Sequence, residues 1–535
     1  MAENHATRRE FLETSAATAG LAILGATADA RAQPPALRVR RNLGKLDLNN
    51  PQDQKVLDQY TQGVRVLRQR SAANRNDQRG WDVQAGLHTY RCQHGDWWFL
   101  PWHRAYLYYF ERMIQDAIGD PTFALPYWDW TDSSQLTLPA PFRDANSPLY
   151  DANRLPFVND GSTQLDWSFY DQNFGGILNY VLDLTNFVPS FGSPAEGSFP
   201  GLERAHGQDL GHGDFEGGPH DSVHVWVAGG GRRDMGDPTF AALDPIFWLH
   251  HGNIDRLWSR WLARDPSHLN PTSTTWRNQR FQFVNTRGQG ELITVSQVLD
   301  TRSAPLNYRY DDEPAQPNLF AQAPAPQPRR EVSMMTQPAG GEAAATAGIE
   351  TLTTAEPRFE VGTEPFTIAL KVPPSSHARI VQALAAPPRG AAPEAQPRLL
   401  LVVEGIAFED DASGVVEVFL NAPRTEGDRR PDRVHAVGTF TLFTDHAHEP
   451  APGAGARAGG GHQMAENAPP TDISSRRITR VFDVTETIRQ LRAAGHWNES
   501  EIRVTLLRRS LHPGKRPVEG KVTFSRATIR TAPAQ

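Results

Sequence analysis

The sequence predicts a mainly helical first domain followed by a C-terminal antiparallel β-sandwich, and three observations predict it. Helical periodicity runs through residues 53–70, 102–118 and 245–262. Beyond residue 355 the pattern changes to short alternating or β-branched runs, among them FTIALKV, RLLLVVEGIAF, VVEVFLNA, ITRVFDV and IRVTLLRR, separated by turn residues. Between the two lies 313–354, rich in Pro, Ala, Gln and Gly, which has too few large apolar residues to bury and reads as a linker.

The elements follow in chain order. Residues 1–32 carry Arg8-Arg9, then Phe11-Leu12, a small-residue apolar stretch and an Ala30-Arg31-Ala32 cleavage-like site, the pattern of a twin-arginine export signal. The expected location is therefore periplasmic or secreted, and the apolar part is too short to span a membrane. The helical domain is expected over 33–312, with 131–215, rich in Gly, Pro, Ser and Asn, mostly loop. The sandwich occupies 355–535, with a long loop at 445–472 whose His446, His448 and His462 read as solvated. At 535 residues and 39% hydrophobic, the chain is long enough for two or three domains with cores of their own. A net charge of −7 gives no electrostatic basis for binding nucleic acid or an anionic membrane, and suits small uncharged or weakly acidic partners.

Chemistry concentrates in residues 86–111, GLHTYRCQHGDWWFLPWHRAYLYYFE, where His88, His94, His103 and the single cysteine, Cys92, lie close together. On one helix, nine steps of about 100° would put His94 and His103 on opposite faces. His94 therefore belongs to a loop. Pro101 suits a helix's first turn, so His103 opens a buried helix. Downstream, PHDSVHVW places His220 and His224 four residues apart, a spacing that lets both reach one metal ion. DPIFWLHHGNIDRLW carries His250 and His251, which diverge by about 100° on a helix, so one of the two faces the metal.

HGDWWFLPWHRAYLYYFE, PYWDWT at 126–131, PHDSVHVW and DPIFWLHHGNIDRLW together resemble the type-3 copper proteins: tyrosinases, polyphenol and catechol oxidases, and molluscan haemocyanins. The resemblance implies two copper ions in a four-helix bundle with long loops. It assigns copper A to His88, His94 and His103, and copper B to His220, His224 and His251. It implies dioxygen as co-substrate and small phenols as substrates, either hydroxylated and oxidised to o-quinones or, in a catechol oxidase, only oxidised. Oxygen carriage, as in haemocyanins, and a structural dinuclear metal site without turnover are the remaining alternatives.

Other residues acquire expectations from the same likeness. Cys92, two before His94, resembles the cysteine joined to a copper A histidine by a thioether in fungal tyrosinases, although a buried reduced thiol is the ordinary state of such a residue. Glu216 matches a glutamate that orients a water near the metal in plant enzymes. Asp221, after His220, stands where active monophenolases often resemble an asparagine; it could accept a proton or repel a phenolate, and it also suits a helix N-terminus. A phenol needs such a base at neutral pH because its pKa lies near 10. Pro238 aligns with a phenylalanine that shields copper A in plant catechol oxidases, so a wider entrance is expected. His250 flanks the site, Asn253 and Asp255 support it, and His206 and His212 read as loop histidines. Arg38, Arg40 and Arg41 together with Tyr308-Arg309-Tyr310 resemble the pairing that closes plant catalytic domains. The C-terminal domain, VFDV at 481–484 especially, resembles the plant domain that covers the copper site and keeps the enzyme latent.

Overall fold

The computed structural model describes residues 37–188, 212–228, 234–314, 350–355, 359–362, 364–385, 397–408, 414–423, 431–442, 478–513 and 520–532. The export signal, His206, most of the linker and the three histidines of the 445–472 loop lie outside these residues.

The first domain is built on long helices that start and stop where the chain provides caps. Helix α1 (Pro51–Ala73) begins with Pro51 after Asn50, whose side chain accepts the N–H of Gln52. Helix α2 (Trp81–Arg91) carries His88, and α3 (Phe99–Ile118) carries His103 in its second turn. α3 is buried nearly all round and ends at Gly119, whose φ of 67° closes it with a left-handed cap. After α4 (Ser168–Phe174) and α5 (Ile177–Leu182) comes a π-helical turn, Glu216–His220, leading into α6 (Asp221–Val227). The last long helix, α7 (Pro245–Arg264), is capped by Asp244, which accepts the N–H of Ile246 and is gripped by Arg154. α1, α3 and α7 pack together, α2 packs on α1, and α6 brings His220 and His224 to α7, forming a helical core around the histidines. The 131–215 stretch is less loop-like than its composition suggests: short helices at 156–159, 168–174 and 177–182 bury Val158, Tyr170, Ile177 and Val181.

The domain's two ends are tied together. Strand β1 (Arg38–Arg40) pairs in parallel with β4 (Tyr308–Tyr310), while β2 (Arg280–Val284) and β3 (Gly290–Thr294) form a hairpin between them in sequence. Arg40 is wholly buried; it reaches Glu111 of α3 at 3.0 Å and Asp255 of α7 at 3.2 Å, and its guanidinium lies 3.7 Å over the Tyr308 ring. Asp255 also takes a buried ion pair from Arg104 and the hydroxyls of Tyr308 and Tyr310. Burial opposes its charge, yet Arg104 and Arg40 hold its carboxyl below the usual range.

The C-terminal domain is a sandwich. One antiparallel sheet runs β10 (Ala436–Thr441), β9 (Val415–Leu420), β12 (Glu501–Arg509), β7 (Phe366–Lys371). The other runs β5 (Glu350–Ala355), β14 (Arg526–Ala532), β8 (Arg398–Phe408), β13 (Val522–Phe524), β6 (Phe359–Val361), with β11 (Ile478–Asp483) also on β8. β5 starts at Glu350, ahead of the boundary at 355 that composition suggests, because Leu352 points into the sandwich core while its backbone pairs β14. Helices α8 (Pro374–Leu384) and α9 (Thr485–Ala493) pack against this domain.

β9 and β10 are buried at every residue, which a sheet strand achieves only when both faces are covered. Val416, Val418 and Leu420 face the sandwich core, whereas Val415 and Phe419 join the core of the helical domain. The two domains therefore share an apolar interface. No helix of the described residues is long and apolar enough to cross a membrane.

Candidate metal centre

α2 and α3 are separated by a short loop. Cys92 caps α2, its N–H bonded to the His88 carbonyl at 3.3 Å, and Gly95 reverses the chain at φ 63°. That turn aims the Gly95 N–H at Glu216 Oε1, 2.9 Å away, and leaves His94 in the loop between His88 and His103. The ring centres of His94 lie 5.1 Å from both His88 and His103. On the other side, the π-helical turn passes through Pro219 and delivers His220 at the entrance to α6, with His224 one turn on and the two ring centres 4.7 Å apart. π-turns concentrate at functional sites.

Among the described residues three groups of donor atoms result, each mutually within 4.8 Å: His88, Cys92 and His94; His88, His103 and His251; and His220, His224, His250 and His251. His251 belongs to two of them, so two metal positions adjoin. The rings of His103 and His251 stack at 4.4 Å. His224 Nε2 and His251 Nε2 are 3.4 Å apart, close to the roughly 3.3 Å that separates two nitrogens bound to one tetrahedral ion at about 2.0 Å.

The tautomers agree with ligation. His88 Nδ1 lies 2.7 Å from the Pro238 carbonyl, His103 Nδ1 2.7 Å from that of Phe99, and His224 Nδ1 2.8 Å from that of Met235. A ring nitrogen facing a carbonyl must donate, which leaves each Nε2 with a lone pair for a metal. His103 Nε2 is buried with no hydrogen-bond partner among the described residues. Burial, then the neighbouring imidazoles, hold His103 and His251 well below the ordinary histidine pKa, and burial does the same to His224. Neutral, Nε2-open imidazoles in two adjoining groups fit a pair of copper ions.

His250 differs. Its Nδ1 accepts the Trp130 indole N–H at 3.0 Å, so its proton sits on Nε2 and that nitrogen is a donor. Both members of the His250-His251 pair reach the site, and the tautomer, rather than direction along the helix, sets His250 apart.

Around His220 lies a buried charge network. Asp221 takes the His220 Nδ1–H on Oδ1 at 2.8 Å and the His212 Nδ1–H on Oδ2 at 3.1 Å. Arg480, from β11 of the C-terminal domain, comes within 3.5 Å of the same Oδ2. Burial opposes the charge of Asp221, but His212 and His220 pull its carboxyl below the ordinary range. Burial and Arg480 likewise oppose a proton on His212, yet Glu216 and Asp221 raise its pKa to about 10.

Several expectations change accordingly. His212 is no bystander in a loop; it is wholly buried between Glu216 and Asp221, and its four-residue offset from Glu216 was the sequence signal for it. Asp221 opens α6, as its helix-terminal reading has it, but its carboxylate is bound up in the network. Pro238 is buried and works through its carbonyl on His88. Asn253 bonds Arg256, which pairs with Asp129, and so braces α7 against the 126–131 segment. Arg480 was missed; its only trace is a charge between Thr479 and Val481 in a strand-like run, ITRVFDV, that also carries Asp483.

Residues 77–175 and 139–264 match the model of the common central domain of tyrosinase, and all six candidate ligands fall within them. These residues form a tyrosinase central domain. It is 28% identical over 513 residues to the tyrosinase HcTyr1 of Hahella sp. (strain CCB-MM4), covering 85% of this chain and 93% of that one. It is also 28% identical over 453 residues to a chloroplastic polyphenol oxidase of Malus domestica, covering 80% and 70%. The fold is shared with the structure of latent apple tyrosinase, at a TM-score of 0.63 and 24% identity over 93% of this chain and 98% of that one.

Proposed function

We propose that the chain is a type-3 copper phenol oxidase that uses dioxygen to hydroxylate monophenols and to oxidise o-diphenols to o-quinones. Copper A would be held by His88, His94 and His103, and copper B by His220, His224 and His251. When bound, the two ions supply the electrons that dioxygen takes and open positions for oxygen and phenol to meet. The observation that carries the reading is the pair of adjoining histidine groups sharing His251, in which the Nδ1 atoms of His88, His103, His220 and His224 are turned to carbonyl or carboxylate acceptors.

The protein's own residues then have distinct tasks. Glu216 fixes the His94 loop through Gly95 and lies beside the metal groups, where its carboxylate orients a water or takes a phenolic proton. Asp221 keeps His220 in the ligating tautomer. Cys92, among the donor atoms of His88 and His94, is positioned for a thioether to His94 that would clamp that ring. The six candidate ligands range from 0% to 7% exposed with the C-terminal domain in place, so that domain acts as a shield and the full chain is latent.

A second reading, diphenol oxidation without hydroxylation, is favoured by one observation: Asp221 faces His212, His220 and Arg480, so it is no ready base. Oxygen uptake by copper-loaded protein, cut at a protease site introduced between residues 315 and 349, separates the two. Given a monophenol with a trace of diphenol as primer, uptake that continues beyond the primer's share is expected. Uptake that stops with the primer would establish the second reading, and none at all would contradict both. Equal activity of the cut and intact chains would refute latency.

A further inference from the structure

Arg480 sits in the C-terminal domain yet touches the copper B half. Its strand, β11, pairs with β8 on one side, Arg480 opposite Val403. On the other side it binds the His212 segment through a parallel bridge, with His212 N bonded to the Thr479 carbonyl at 3.3 Å and Val481 N to the His212 carbonyl at 3.4 Å. The Arg480 side chain is 1% exposed, and it passes so close to Gly217 that a Cβ there would meet its Cδ at 3.2 Å. Gly217 is thus the opening through which a guanidinium from one domain enters the metal centre of the other. Its target is Asp221 Oδ2, while Oδ1 of the same carboxylate holds the Nδ1–H of His220.

We infer that Arg480 is a positioning residue for copper B: acting through Asp221 and His220, it sets the balance of affinity between copper(I) and copper(II). This rests on the proposed copper site. The reasoning is electrostatic. A carboxylate that accepts the Nδ1–H of a ligating histidine makes Nε2 more basic, which favours the more highly charged ion. A guanidinium, always charged, draws on that carboxylate and weakens the effect. Glu216, Asp221, His212 and Arg480 form a buried group in which two carboxylates face two basic side chains. Withdrawing Arg480 leaves one negative charge more beside His220. A docked C-terminal domain therefore favours copper(I) at this half of the site, and undocking tilts it towards copper(II). The shield acts on the metal as well as on the entrance.

The test uses full-length, copper-loaded protein and two chelator competitions, bicinchoninate for copper(I) under reducing conditions and EDTA for copper(II) under oxidising ones. The readout is the ratio of the two affinities. Arg480→Gln is expected to shift the ratio towards copper(II) on the order of tenfold. Arg480→Lys, which keeps the charge, is expected to stay within about twofold of wild type. Asp221→Asn removes the relay, so adding Arg480→Gln to it is expected to cause no further shift. This double variant also removes both partners of the buried pair, which keeps the test open if Arg480→Gln alone does not fold. An unchanged ratio in Arg480→Gln, an equal shift in Arg480→Lys, or an undiminished shift in the double variant overturns the inference. A wild-type chain that holds no copper in either competition would instead contradict the proposed function.

Discussion

The two halves of the metal centre are built differently. The proposed copper A half is braced by its own domain: His88 and His103 are fixed by the carbonyls of Pro238 and Phe99, and α3, which bears His103, is tied through Glu111 and Arg104 to the Arg40–Asp255 hub. In the proposed copper B half His224 is likewise fixed by a carbonyl, that of Met235, but His220 rests on charge, since it depends on Asp221, and Asp221 is flanked by His212 and by Arg480 from the other domain. The Phe99 carbonyl cannot leave without unfolding α3. A side chain from a second domain can, so the difference assigns permanence to one half and adjustability to the other.

The largest effect expected from breaking this contrast lies at the hub. Asp255→Asn leaves Arg40 and Arg104 buried without a carboxylate between them, and removing one partner of a buried pair costs about 3–5 kcal/mol. Chemical denaturation should show a loss of that size or more, accompanied by loss of both copper ions. Asp221→Asn should cost a similar or smaller amount, because Arg480 lies at the longer distance of 3.5 Å, and metal analysis after chelator challenge should show copper lost from one half only. Equal loss from both halves would erase the distinction.

Stability should also depend on alkaline pH through His212. Its folded pKa is raised to about 10 from an ordinary value near 6.5. The stabilisation is therefore fully present below about pH 6.5 and is lost as pH rises towards 10. Asp221, held below its ordinary range, adds stability that is present above about pH 4 and lost in acid. Melting temperatures across pH 5 to 10 should fall on the alkaline side, and His212→Gln should flatten that fall. The smallest effect belongs to the domain seam. Tyr170 hydrogen-bonds Thr439 of β10 across it, and Thr439→Val should cost about 1 kcal/mol in the same denaturation assay while leaving copper content unchanged.

How much of this was legible in the sequence follows from the same contrast. The long helices announced themselves through periodicity, and the observed α1, α3 and α7 enclose the stretches 53–70, 102–118 and 245–262. His94 in a loop and His103 in a buried helix followed from a 100° rotation per residue, and the i,i+4 pair His220 and His224 from the same geometry. What escaped was long-range. The short helices of 156–182 draw their stability from packing against other parts of the chain, including Phe419 of the sandwich on Phe169, and no local pattern encodes that. His212 and Arg480 meet at Asp221 from positions far apart in sequence; Arg480 carries no motif, and His212 only its four-residue offset from Glu216. The separation of His250 from His251 needed the Trp130 hydrogen bond, because spacing alone cannot assign a tautomer.

The central claim is that the two adjoining histidine groups hold two metal ions. Copper content after reconstitution and gel filtration, measured by mass spectrometry on the wild-type chain and on His103→Ala and His220→Ala, tests it most directly. The account predicts two copper ions per wild-type chain and at most one in each variant. One ion in the wild type, or two retained in both variants, would contradict it.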